Sequence, residues 1–145
     1  MRKVLTLQNS YPVPPDRLFD LVTDLDTLEA VARPWVRFHH LPSGPVREGQ
    51  VIDIDLSLFG VLPAQAYKMV VTRMDRDARC MVSEERGAGV RKLVHVLQVA
   101  AGPGGGSILS DRIEIEAGWA MPFVSGFVWI THRWRHPVRR RLLRD

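Results

Sequence analysis

The chain has 145 residues, enough for one domain with a core of its own. Apolar residues make up 46% and charged residues 25%, an ordinary balance for a globular protein, and no apolar run reaches the ~18 residues of a membrane-spanning helix. The net charge of +4 is concentrated: residues 131–145 hold six arginines and one acid, a local +5, so the rest is about −1 (4 − 5), which argues against a broad nucleic-acid-binding surface.

Cys80 is the single cysteine, so no internal disulfide forms. The opening "MRKVLTLQNSYPVPP" has two basic residues but neither a long apolar stretch nor a cleavage site, so no signal peptide is expected and the expected location is cytoplasmic.

Residues 3–9, "KVLTLQN", alternate with period 2 and predict a strand. Pro14 and Pro15 then suit a helix start, with Asp16 in the first turn and Leu18, Phe19, Leu21 and Val22 on one face. A second short helix begins near Asp24 or Asp26 and is ended by Pro34. Six strand candidates follow, at 35–41, 50–60, 64–75, 78–87, 90–101 and 107–118, with "GPGGG" (102–106) marking a hairpin between the last two. In 64–75 the alternation turns Tyr67, Met69 and Val71 inward. From Pro122 the period becomes helical, and Phe123, Phe127, Ile130, Trp134 and Val138 form one stripe expected to face the sheet, with a kink or break at His136 before Pro137. No repeat, linker or second domain is evident, so residues 1–145 are read as one α+β domain: an antiparallel sheet of about seven strands, two short helices between strands 1 and 2, and a long C-terminal helix.

"PVPPDRLFDLVTDLDTLEAVARPWV" and "LVHVLQVAAGPGGGSILSDRIEIEAGWAMP" resemble the opening helices and the closing hairpin of the START-like, or SRPBCC, superfamily. The resemblance spans nearly the whole chain. It implies the helix-grip fold, a curved sheet wrapped around the last helix, and an apolar small molecule between them. The group includes polyketide cyclases, coenzyme Q-binding proteins and lipid-transfer domains, and only some of its members catalyse a reaction.

Within that frame "KLVHVLQV" places His95 on the inward face with Leu93, Leu97 and Val99. If the glycine loop centres near Gly104, paired positions sum to about 208. His95 then opposes Ile113, and Asp111 is its diagonal neighbour. The pair has three readings: a structural polar pair, a polar anchor for a ligand, or an acid/base dyad suited to enolisation or dehydration. The expected walls of a binding cavity are Leu56, Tyr67, Met69, Leu93, His95, Asp111, Ile113, Phe123, Phe127 and Trp134, with His95 and Asp111 as polar anchors. The residues weigh towards a binding module for a hydrophobic or amphipathic molecule. The alternatives are a cyclase or dehydratase using His95, and a quinone or lipid chaperone docking on membranes through Arg139, Arg140, Arg141 and Arg144.

No cofactor, metal or nucleic-acid partner is expected. His132 and His136 stand at i, i+4 but lack a third ligand and have Arg133 and Arg135 beside them, and His39 and His40 point to opposite faces. "GPGGG" lacks the lysine and the strand-to-helix setting of a phosphate loop.

Overall fold

A computed structural model describes residues 2–144. The elements run β1 (Arg2–Tyr11), α1 (Pro15–Val22), α2 (Leu25–Ala32), β2 (Val36–His39), β3 (Val51–Leu58), β4 (Gln65–Asp75), β5 (Cys80–Gly87), β6 (Val90–Ala101), β7 (Ser107–Glu116) and α3 (Met121–Arg144). The strands form one antiparallel sheet in the order β1-β7-β6-β5-β4-β3-β2. The expected α+β architecture is the observed one, and the seven predicted strands differ from the observed ones only by a few residues at their ends.

Local chemistry accounts for the two short helices. Pro15 opens α1, where its missing N–H costs nothing, and Leu18 and Phe19 bury one face. The Asp24 carboxylate accepts a hydrogen bond from the Asp26 backbone N–H at 2.8 Å and caps α2. Arg17 donates to the Leu143 carbonyl at 2.8 Å, joining α1 to the free carbonyls at the C-terminal end of α3.

The β6–β7 hairpin has the register expected from its turn: His95 opposes Ile113 and Leu97 opposes Asp111. Gly104 and Gly105 take the left-handed backbone the turn requires. Alternation along β6 is clean, with Leu93, His95, Leu97 and Val99 all buried. One apolar cluster joins α1 to β3–β7 and includes Leu143. A second packs Leu93, Ile113 and Ile115 against Met121 and Val128 at the start of α3.

Two expectations for α3 are corrected. The helix runs unbroken through Pro137. Pro137 and Arg133, whose carbonyl it leaves free, both lie on the exposed side, open to solvent. The helix is also rotated from its apolar stripe. Phe123 is 78% exposed, Ile130 50% and Trp134 42%, while Met121, Ser125, Val128, Thr131, Arg139 and Leu143 are buried. The aromatic stripe instead meets the strand ends at the rim: Trp134 packs edge-on against Trp35 (6.1 Å between centroids) and Phe127 against Phe59 (5.8 Å).

Candidate functional site

Between α3 and the inner face of the sheet lies a cavity of about 470 Å³. Its body is apolar, formed by Leu28 of α2, Ile52 and Leu56 of β3, Met69 and Val71 of β4, and Leu97 of β6. Phe59 and Phe123 line it while remaining half or more exposed, which places its mouth between the end of β3 and the start of α3. Period-2 alternation puts every second strand residue on this wall.

One region of the wall is polar. It comprises Tyr67, Ser83, Glu85, His95, Thr131, His132 and Arg135. His95 is hydrogen-bonded to Asp111 through Nε2 and Oδ1 at 2.7 Å, and both are almost fully buried. Burial alone raises the Asp111 pKa, but the His95 hydrogen bond and the electrostatic pull of His95 and then Arg139 outweigh it and hold the carboxyl well below its usual range. Asp111 is therefore a carboxylate at neutral pH, seated behind His95 rather than in the cavity wall.

The His132 ring stands edge-on to His95, with 5.3 Å between centroids. Its Nδ1 lies 2.9 Å from the Val128 carbonyl and so carries the proton, donating along the helix. Burial first, then the charge of Arg135 and of His95, pushes the His132 pKa well below its usual value, against the pull of Asp111 and the Val128 carbonyl. His132 is neutral at physiological pH. Tyr67 donates to Glu85 Oε1 at 2.7 Å and Ser83 donates to Glu85 Oε2 at 3.1 Å. Burial and the adjacent Glu85 charge raise the Tyr67 pKa well above normal, so its hydroxyl stays protonated. Arg135 makes no hydrogen bond or ion pair with another described residue, and its Nε is sealed from solvent.

Of the ten residues expected to form the walls, Leu56, Tyr67, Met69, Leu93, His95, Phe123 and Phe127 line the cavity. The other three do not. Ile113 is wholly buried in the second apolar cluster, behind the cavity surface. Asp111 is reached only through His95. Trp134 lies outside, its indole Nε1 donating to the Arg33 carbonyl at 2.9 Å. Residues that sequence reasoning missed supply most of the polar wall: Ser83, Glu85, Thr131, His132 and Arg135. Glu85 had a signal, because the strand register sets it opposite Met69 and Leu93, both inward.

The basic tail also needs correction. Arg139 is 3% exposed and Leu143 is buried in the core, so neither belongs to an outward membrane-facing surface; Arg140, Arg141 and Arg144 remain outside. His132 and His136 have separate partners, the latter facing the Tyr11 hydroxyl at 2.9 Å, and no group of three metal-ligating side chains occurs among the described residues. Nor is any described helix long and apolar enough to cross a membrane.

No protein-family model and no curated protein matches the chain. Solved structures do. Ara h 8.0201 superposes with a TM-score of 0.74 at 16% identity over 100% of both chains. A protein from Chromobacterium violaceum superposes at 0.78, with 15% identity over 98% of each chain. A protein from Rhodobacter sphaeroides superposes at 0.75, with 15% identity over 97% of this chain and 91% of its own. The fold is the helix grip. At 15–16% identity the likeness is one of fold.

Proposed function

We propose that the chain binds a hydrophobic or amphipathic small molecule between α3 and the sheet. The observation that carries this reading is the cavity itself. Its volume of about 470 Å³ falls within the ~300–1,000 Å³ of small-molecule sites, and its apolar body with one cluster of polar groups is the usual design of such sites. The ligand binding implied by the START-like resemblance points the same way.

Two measurements test the proposal. Native and then denaturing mass spectrometry of the purified protein is expected to find a co-purifying molecule or an empty protein that takes up a neutral solvatochromic dye such as Nile red. Met69→Trp, which fills the cavity from β4, is expected to lower dye affinity at least tenfold. An empty protein with no dye uptake, or uptake indifferent to Met69→Trp, sinks the reading.

A second reading rests on the His95–Asp111 pair, which is assembled at 2.7 Å with His95 in the cavity wall. An orienting carboxylate behind an imidazole suits acid/base catalysis of an enolisation or dehydration. Here His95→Phe abolishes turnover, whereas a carrier still binds.

A further inference from the structure

One charged side chain in the cavity wall lacks a partner. Arg135 points inward from α3, its Nε is sealed from solvent with no acceptor, and no described carboxylate oxygen lies within 4.0 Å of its guanidinium. The two carboxylates whose charge reaches Arg135, Glu85 and Asp111, are already engaged. Both Glu85 oxygens accept from neutral hydroxyls, those of Tyr67 and Ser83, and Asp111 is bonded to His95. Burial and the neighbouring Arg139 lower the Arg135 pKa only to about 10, so the group remains a cation at neutral pH. Buried charges in folded proteins are ordinarily paired.

We propose that the ligand is an amphipathic carboxylate whose anionic group pairs with Arg135, its apolar body running towards Phe123 and Phe127 at the mouth. This rests on the cavity-binding reading and narrows it to a ligand class. A carboxylate matches the planar guanidinium fork with two parallel hydrogen bonds. It also brings only one further negative charge into a site where Glu85 already carries one. A dianionic phosphate brings twice that charge against Glu85. A cation meets Arg135 as a like charge, and a neutral ligand leaves Arg135 buried and unpaired.

A matched pair of probes provides the test: dodecanoate and 1-dodecanol, below micellar concentrations at pH 8, titrated by displacement of Nile red. Wild-type protein is expected to bind dodecanoate at least tenfold more tightly than dodecanol. The preference should survive 0.5 M salt, since a buried pair is little screened, whereas attraction to the exposed tail arginines is lost. Arg135→Met is expected to remove the preference and Arg135→Lys to retain part of it. Equal binding of the two probes, a preference that salt abolishes, or one that survives in folded Arg135→Met overturns the proposal and leaves the cavity reading standing. If neither probe displaces dye that wild-type protein has bound, the carboxylate proposal falls; the cavity reading falls only if the dye itself does not bind. Circular dichroism reports whether Arg135→Met folds; if it does not, the wild-type pair and Arg135→Lys decide.

Discussion

At the residue scale, the His95–Asp111 pair shows what alternation and turn geometry convey. A histidine on the apolar side of a strand, and an aspartate placed beside it by the hairpin register, are both readable from "KLVHVLQV" and the glycine loop. Their pairing has a consequence for stability. Removing His95 leaves the buried Asp111 carboxylate uncompensated, at a cost of about 3–5 kcal/mol, whereas replacing both members with apolar groups is close to neutral. His95→Phe is therefore expected to destabilise the fold by about that much, and His95→Phe with Asp111→Leu by clearly less than the two single changes combined. Urea unfolding of the four proteins checks this, and additive single effects contradict it. The polar residues of α3 are a different case. His132 and Arg135 stand among arginines in "HRWRHPVRRR", and nothing in their spacing separates an inward cation from a solvated one.

At the element scale, helix phase was the weakest expectation. A helix is assumed to turn its most apolar stripe to the core. Here the wall facing much of α3 is itself polar, with Glu85, Tyr67 and His95, so His132 and Arg135 face inward and the aromatic stripe meets Trp35 and Phe59 at the rim. Strand phase was readable because inward and outward residues differ sharply in polarity along β3 and β6. In the β5–β6 hairpin Gly87 and Gly89 both take positive φ, and Gly87 is also closely packed. Gly87 has φ of 124°, and a Cβ there would lie 2.3 Å from the Ala66 carbonyl oxygen of β4. Gly87→Ala is expected to cost about 1–3 kcal/mol from backbone strain, and more where the clash cannot relax. A thermal midpoint unchanged from wild type shows that the strands can separate without loss. Because Gly87 is two residues from Glu85, the same change is also expected to weaken ligand binding.

At the scale of the whole molecule, burying ionisable groups beside the cavity ties folding to pH. The folded-state pKa of His132 lies well below that of the unfolded chain, so below about pH 6.5 the unfolded state takes up a proton that the folded state refuses. Stability is full above that pH and falls as the pH drops, by up to about 1.4 kcal/mol per pH unit for this one group. His136, half-buried against Tyr11, shifts in the same direction, with burial and then Arg140 and Arg139 as the causes. Asp111 acts at lower pH: its contribution is present above about pH 3.9 and is lost as the pH falls towards its depressed folded value. Urea midpoints measured from pH 7.5 to 5 should therefore fall for wild type and fall less steeply for His132→Gln. Parallel profiles show that His132 is charged in the folded state.

The sequence by itself determined the order of elements, the antiparallel sheet, the inward faces of β4 and β6 and the position of His95 beside Asp111. Each of these follows from local periodicity or from a turn that sets the register of its two strands. Only the tertiary structure decided how α3 is rotated, that Arg135 and His132 face the cavity while Trp134 lies outside it, and that Arg139 is buried within the basic tail. Those outcomes depend on which surface the helix meets, and that surface is assembled from strands spread along the whole chain, from β1 to β7.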